Sequence, residues 1–144
     1  MDTKALAKKV VDQMYNNDWF SQWLGIERLE EDAGKSVLRL TVRKEMLNGF
    51  AIGHGGIAYS LADSALAFAA NSYGIQSVSI ETSMSYTKPV QEGDVLTATA
   101  QNKSTTDKIG NYEVNVENQN GEQVALFQGN VYRTGKPWFP ENKE

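Results

Sequence analysis

One apolar segment constrains the fold of this chain more than any other feature. Residues 55–73 contain no proline, are rich in alanine and leucine, and carry a single formal charge, at Asp63. Such a segment predicts a helix, and because apolar residues occur on all of its sides, we expect the helix to be buried. Four alternating segments rich in β-branched and aromatic residues follow it and predict strands. These segments are residues 76–87, 94–103, 111–118 and 123–133.

The part of the chain before this helix predicts two short helices and one or two strands. Apolar side chains in residues 4–15 recur at helical spacing, and Gly25 after the aromatic residues 19–24 is typical of a helix end. Residues 36–42 alternate between apolar and polar side chains, which indicates a strand. A buried helix followed by strands in series favours an α+β fold, with an antiparallel sheet wrapped around one central helix.

The chain is predicted to form a single domain over residues 1–144. Its length suits one domain, and no repeat, low-complexity tract or linker divides it. Residues 1–24 are expected to form N-terminal helices, whereas two prolines and four charges in residues 135–144 predict a loose tail. With no signal segment and no apolar stretch long enough to cross a bilayer, we expect a cytoplasmic protein without a membrane partner.

Composition excludes several kinds of site. The chain has no cysteine, which rules out disulfides, thiolate nucleophiles and cysteine-bound metals. Its one histidine, His54, rules out a site that needs two imidazoles. The net charge of −4 comes without a basic stripe, so we expect no nucleic-acid partner. Ser60 and Ser64 lie in no nucleophile elbow, and no metal-ligand spacing occurs, so neither a serine hydrolase nor a metal site is expected.

The start of the apolar helix is the predicted place of the chemistry. A buried carboxylate costs several kcal/mol unless it is paired, hydrogen-bonded, solvated in a cleft or protonated, and most of these states would make Asp63 a candidate site residue. Gly55 and Gly56 open the helix, where free N–H groups and the helix dipole favour the oxyanion that forms from an ester or thioester carbonyl. A hydrogen-bonded structural aspartate and a plain capping turn are the alternative interpretations.

Spacing adds a constraint on how these groups act together. Asp63 comes eight residues after Gly55, which is about 12 Å along a helix. One carbonyl bound at the Gly55 N–H is therefore out of reach of Asp63 in the same chain. If both groups act on one carbon, Asp63 comes from a second protomer, and a two-fold dimer contains two equivalent sites, each built from both chains.

Two residues before the helix, His54 and Asn48, indicate a functional role less strongly. His54 directly precedes the helix, a position more typical of a capping or orienting role than of proton transfer. The amide of Asn48 can donate to a water or a carbonyl, although Asn-Gly is also a common turn.

Taken together, these residues resemble a known family, the hotdog-fold acyl-CoA thioesterases, and within it the phenylacetate-degradation type. The resemblance covers about residues 20–134 and implies five to six antiparallel strands wrapped around one long helix. It also implies a homodimer as the minimal active unit, with two dimers often pairing into a homotetramer. The motifs that carry it are Asn48-x5-His54-Gly55-Gly56, Leu61-Ala62-Asp63-Ser64 and Ala67-Phe68-Ala69-Ala70-Asn71.

The resemblance also implies a role for each site residue. The Gly55 N–H would polarise the thioester carbonyl, and Asp63 of the neighbouring subunit would attack that carbonyl or activate a water as general base. Asn48 would orient the water or the leaving sulfur, and His54 would support the loop and the carbonyl. Coenzyme A would be part of the substrate, with no resident cofactor. Implied substrate-binding residues are Gly56, Ser64, Ser79 and Lys88, the last of these toward the phosphates of coenzyme A.

The acyl group and two alternative functions stay open at this point. Phe50, Tyr59 and Phe68 are candidates to line an aromatic or medium-chain acyl pocket. A hotdog dehydratase or hydratase would use a catalytic histidine with an acid in another arrangement, which the single His54 fits poorly. A non-catalytic acyl-CoA-binding protein of the sensor kind usually carries a DNA-binding segment, and none is evident in this sequence.

Overall fold

The elements follow the apolar patterns of the sequence closely. The computed structural model describes residues 2–140. Its helices are α1 (Thr3–Asn16), α2 (Trp19–Leu24) and α3 (Gly55–Asn71). Its strands are β1 (Glu27–Asp32), β2 (Lys35–Thr41), β3 (Ile75–Tyr86), β4 (Val95–Thr105), β5 (Ile109–Glu117) and β6 (Gln123–Pro137). Across these residues, no helix combines the length and the apolarity that a membrane-crossing segment requires.

The six strands form one antiparallel sheet in the order β1-β2-β4-β5-β6-β3. Helix α3 packs across the inner face of this sheet, and its buried side chains join those of the strands in one core. Strand β3 follows α3 in the sequence but lies at the far edge of the sheet, next to β6. The expected α+β hotdog architecture, a sheet wrapped around one long helix, is therefore confirmed.

The two N-terminal helices begin at aspartate caps, and the second ends at Gly25 as the sequence predicts. Asp2 caps α1 by accepting a hydrogen bond from the Ala5 N–H at 2.7 Å. Asp18 caps α2 in the same way through the Ser21 N–H at 3.0 Å. Gly25 ends α2 at φ 78°, a left-handed conformation that glycine adopts without steric cost.

The residues of strand β1 have no alternating pattern that predicts a strand. Its acids have the composition of a solvated surface and do not alternate with apolar residues. The structure neutralises two of them with basic neighbours: Glu30 contacts the Lys35 ammonium at 3.1 Å, and Glu31 pairs with Arg28. Paired in this way, a polar segment serves as the edge strand beside β2.

The predicted loose tail is wrong for residues 135–140. Strand β6 continues to Pro137, a proline that ends the strand and so costs the sheet no hydrogen bond. Beyond it, the Trp138 backbone N–H donates to the Gly74 carbonyl at 2.8 Å, and its indole N–H donates to Asn71 Oδ1 at 2.9 Å. Residues 141–144 of the predicted tail lie outside the described residues.

Helix α3 is not buried on every side, contrary to the prediction. One stripe along it reaches the surface at helical spacing: Gly56 and Asp63 are exposed, and Ser60 and Ala67 are half-buried. Asp63 is consequently exposed in the single chain rather than buried. The physical reason is that the sheet covers only part of the helix, and small residues look apolar in a sequence whichever way they face. We call these four residues the open stripe.

One glycine sets how closely α3 approaches the sheet, and it yields a stability prediction. A methyl group on Gly129 of β6 would lie 2.7 Å from Leu66 Cδ2, and Leu66 is fully buried in the core. The variant Gly129→Ala should therefore overpack this contact and lower the free energy of unfolding by about 1–3 kcal/mol, measured by urea denaturation.

Gly49→Ala is the matched control, since nothing lies within 4 Å of the added carbon. Its stability should stay unchanged or rise by up to about 1 kcal/mol. Equal unfolding midpoints for the two variants would mean that α3 and β6 are not in tight contact at Gly129.

Candidate active site

A cavity of about 340 Å³ opens at the N-terminus of α3. Three segments build it: the loop before the helix, the first turn of the helix, and the chain that leaves β3. The backbone N–H of Gly53 donates to the Val90 carbonyl at 2.7 Å, which ties the first of these segments to the third. The lining includes Asn48, His54, Gly55, Tyr86, Lys88 and Val90.

His54 is the cap of α3. Its Nδ1 accepts a hydrogen bond from the Gly56 N–H at 2.9 Å. Its backbone N–H donates to the Met46 carbonyl at 2.8 Å, which joins the helix start to the preceding turn. Because Nδ1 is the acceptor in this cap, the proton of the neutral ring sits on Nε2. The imidazole therefore supports the helix turn, and a role of His54 toward the substrate stays a prediction.

The Gly55 N–H is the free donor of this turn. Among residues 2–140 it has no acceptor, whereas its own carbonyl accepts from the Tyr86 hydroxyl at 2.9 Å. A tyrosine hydroxyl is protonated near neutral pH and can donate, and partial burial raises the pKa of Tyr86 further. A free N–H at a helix N-terminus, reinforced by the helix dipole, is suited to bind an oxygen on which negative charge develops.

Tyr86 also explains why position 55 holds a glycine. A Cβ atom there would lie 3.1 Å from the Tyr86 hydroxyl oxygen, which is tighter than ordinary van der Waals contact. The tyrosine thus covers one side of the glycine and leaves the N–H side to the cavity.

Asn48 closes the loop in front of the helix. Its side-chain Oδ1 accepts from the backbone N–H of Phe50 at 2.9 Å and of Ile52 at 3.4 Å. Its own backbone N–H donates to the Ile52 carbonyl at 2.8 Å. Since Oδ1 is occupied by the loop, the Nδ2 amide is the group of Asn48 that can donate to a bound molecule.

Asp63 lies two turns further along α3, outside the lining of this cavity. In the described part of the chain its carboxylate has no ion pair and no hydrogen bond. Surrounding protein desolvates the carboxyl and raises its pKa, and the negative charge of Asp18 raises it further. An uncompensated carboxylate with an increased affinity for protons is suited to the work of a general base.

The other predicted binding residues occupy separate places. Lys88 lines the cavity and pairs with Glu122. The Gly56 N–H is already bound by His54. The Ser64 hydroxyl lies 2.8 Å from the Ser21 hydroxyl, and Ser79 is exposed on edge strand β3. Of the predicted site residues, four line the cavity in one chain, namely Asn48, His54, Gly55 and Lys88. The other four do not line it, namely Gly56, Asp63, Ser64 and Ser79.

The three aromatic residues expected to line an acyl pocket lie outside the cavity at Gly55. Phe68 is buried in the core, and its ring meets Tyr15 edge-on. Tyr59 packs edge-on against Phe127. Phe50 projects from its loop with 86% of its surface exposed. Alternation and composition identify such residues as apolar but do not place them around a ligand.

Sequence reasoning missed several residues at and around the site. Tyr86 and Val90 line the cavity because the sheet order brings the end of β3 to the start of α3, and no local signal encodes that meeting. Asp18 and Ser21 lie beside Ser64. Their spacing of three residues indicates a helix cap, but the neighbour of that cap is not readable from the sequence.

Comparison with known proteins identifies the group to which the chain belongs. The Thioesterase superfamily model matches residues 50–125. The acyl-coenzyme A thioesterase PaaI of Escherichia coli (strain K12) is 41% identical over 122 residues, which covers 85% of this chain and 87% of that protein.

Solved structures agree with this assignment. The E. coli PaaI protein from the phenylacetic acid degradation operon matches with a TM-score of 0.92 at 38% identity, over 94% of this chain and 99% of that one. A hypothetical thioesterase protein with coenzyme A from Streptococcus pneumoniae matches with a TM-score of 0.75 at 25% identity, over 78% of this chain and 90% of that one. With its hotdog architecture and its similarity to PaaI over most of both chains, the chain belongs to the thioesterase superfamily, as a member of the PaaI type.

Proposed function

We propose that the protein hydrolyses acyl-CoA thioesters to a free acid and coenzyme A, at sites that two protomers build together. The observation that carries this proposal is the pair of unused groups on α3: the free Gly55 N–H at the cavity and the unpartnered Asp63 carboxylate two turns away. The 41% identity to an acyl-coenzyme A thioesterase supports the substrate class. So does the coenzyme A in the related S. pneumoniae structure.

The proposed reaction assigns one step to each group. The thioester carbonyl oxygen accepts from the Gly55 N–H, which stabilises the charge that forms when the carbonyl carbon is attacked. Asp63 of the second protomer removes a proton from the attacking water, or attacks the carbon itself and is then released by water. In either route the carbon–sulfur bond breaks and coenzyme A leaves as the thiolate, with the Asn48 amide as donor to water or sulfur. The reaction needs no resident cofactor.

A homodimer is the minimal active unit in this proposal. Strand β3 is an unpaired edge, and it exposes 56% of Val78 and 57% of Ile80. A long unpaired edge strand with exposed apolar side chains is a template for pairing with another chain, and two copies of β3 can pair about a two-fold axis. Such a dimer also places a second chain where it can cover the open stripe that carries Asp63.

A homotetramer of two dimers is the larger assembly that we propose. Its support is a group of aromatic side chains on α2 that remains at the surface of the single chain: Trp19 with 71%, Phe20 with 53% and Trp23 with 69% exposure. Large exposed apolar patches mark interaction sites, and a second dimer is the occupant proposed for this one.

The finer details of the substrate are also proposals. The phenylacetic acid degradation operon of the E. coli relative supports an aromatic acyl group, although a medium-chain acyl group suits the same chemistry.

Lys88 is proposed to meet the phosphates of coenzyme A because it lines the cavity as a cation. Ser64 and Ser79 stay predictions as substrate-binding residues, and so does the cytoplasmic location.

Thiol release is the measurement that tests the proposed reaction. The variant Asp63→Asn should lower release of coenzyme A from a panel of acetyl, medium-chain, long-chain and phenylacetyl thioesters by about 10²-fold or more, because it removes the base or nucleophile. Since the chain has no cysteine, a thiol reagent reports product without protein background. Asp107→Asn makes the same charge change in an exposed turn and should retain full activity.

Wild-type protein that binds these thioesters tightly but releases no thiol would replace the hydrolase with a non-catalytic acyl-CoA-binding protein. Full activity in Asp63→Asn would remove Asp63 from the mechanism.

A pair of substitutions at one position isolates the oxyanion donor. Gly55→Pro removes the N–H at the first residue of α3, where proline is tolerated and where the extended His54 (ψ 135°) suits a following proline. We expect it to lower kcat by about 10²–10³-fold. Gly55→Ala adds the same Cβ beside Tyr86 but keeps the N–H, and so it should lose much less. Equal losses in the two variants would assign the effect to crowding and not to the donor.

Mixing two inactive variants tests whether the site is shared. When Asp63→Asn and Gly55→Pro chains are refolded together, mixed dimers have one site with both groups intact and one site with neither. Random pairing should then restore about a quarter of wild-type thiol release, because half of the dimers are mixed and half of their sites are complete. A mixture with no more activity than its separate components would place each site within one chain.

A further inference from the structure

A chain of hydrogen bonds leads from Asp18 to the residue beside Asp63. Asp18 Oδ1 accepts from the Ser21 N–H at 3.0 Å, and its Oδ2 lies 2.6 Å from the Ser21 hydroxyl. The Ser21 hydroxyl in turn lies 2.8 Å from the Ser64 hydroxyl. Ser21 is fully buried where α2 meets α3, whereas Asp18 and Ser64 at the two ends of this chain are half-buried.

The direction of each proton in this chain follows from the carboxylate at its end. An ionised Asp18 can only accept, so the Ser21 hydroxyl donates its single proton to Oδ2. The Ser21 oxygen is then the acceptor for Ser64, whose proton points toward Ser21. Ser64 therefore offers lone pairs, but no proton, to a neighbour on the other side. A substrate-binding role for Ser64 is limited to accepting hydrogen bonds.

Asp18, which caps α2, is also the charged group that acts electrostatically on Asp63. The core side chains that the strands pack against α3 are apolar. The buried face of α1 is uncharged as well, with Ala7, Val10 and Val11. Within α3 the carboxylate of Asp63 is the single charge. After desolvation, Asp18 is the second cause of the raised pKa of Asp63, and in the described residues no cation offsets it.

We propose that Asp18 is a positioning residue for the reaction: its carboxylate, which Ser21 links to Ser64 where α2 meets α3, places a negative charge near Asp63 and fixes the neighbouring hydroxyl of Ser64. A like charge raises the affinity of a carboxylate for a proton, and a general base with higher proton affinity accelerates removal of a proton from water. Asp18 acts through Asp63 and touches no substrate. This inference rests on the proposed function.

Asp18→Asn tests this role because it removes the charge and keeps the cap. Asparagine is as good an N-cap as aspartate, and its oxygen can still accept from Ser21. The 13C signal of the Asp63 carboxyl, assigned with Asp63→Asn, should titrate with its midpoint at lower pH in Asp18→Asn than in wild type. Hydrolysis requires ionised Asp63, so the acid limb of kcat/KM for thioester hydrolysis should move to lower pH as well.

Asp2→Asn is the matched control, since it makes the same charge change at the N-cap of α1. It should leave both the titration of Asp63 and the acid limb in place. Asp18→Ser, which also retains a capping side chain, repeats the test if the asparagine variant does not fold.

Three outcomes are informative. A shift in Asp18→Asn or Asp18→Ser, but not in Asp2→Asn, supports the role of Asp18. An unmoved Asp63 midpoint, or an equal shift in Asp2→Asn, overturns it. If wild-type protein hydrolyses no thioester, the proposed function fails by itself, and the carboxyl titration still decides whether Asp18 acts on Asp63.

Discussion

The packing of α3 against the sheet is the constraint on which the rest of the structure depends. Alanines on its buried side let the helix lie close to the strands. Gly129 of β6 also permits this close contact, because it has no side chain that would meet Leu66. Both ends of the helix are fixed by contacts outside it. Tyr86 binds the Gly55 carbonyl at the start, and Asn71 bonds to Ser77 and Trp138 at the end. The free N–H of Gly55 thus has a position set by the whole core.

The same helix explains why one chain holds only part of the chemistry. A straight helix keeps the Gly55 donor and the Asp63 carboxylate apart by about two turns, and no change of rotamer closes that distance. The sheet order places β3 at one edge of the sheet, and the open stripe reaches the surface of the single chain, so a second copy can contact both. In the proposed dimer, each chain contributes its donor to one site and its carboxylate to the other.

Much of the fold was predictable because burial leaves a local pattern. The near absence of charge around Asp63 predicts α3, and alternation predicts β2 to β6. The separation of Gly55 from Asp63 follows from helix geometry alone. Other features depend on contacts between distant parts of the chain. Strand β1 is stable because its acids meet basic partners, and Trp138 is ordered because Asn71 accepts its indole N–H. Tyr86 reaches the site through the sheet order, which no single segment encodes.

The sheet order also determines when the domain can become stable during synthesis. Strand β3 pairs within the chain only with β6, and β6 is the last strand to be made. Until residues up to Pro137 have left the ribosome, β3 has an unpaired edge on both sides, and β5 lacks one neighbour as well. Non-local strand pairing of this kind forms late and leaves apolar edges open to aggregation. A nascent chain of this protein therefore gains this fold as a unit only after β6 has been made, and a truncation before residue 123 yields an aggregation-prone fragment rather than a smaller domain.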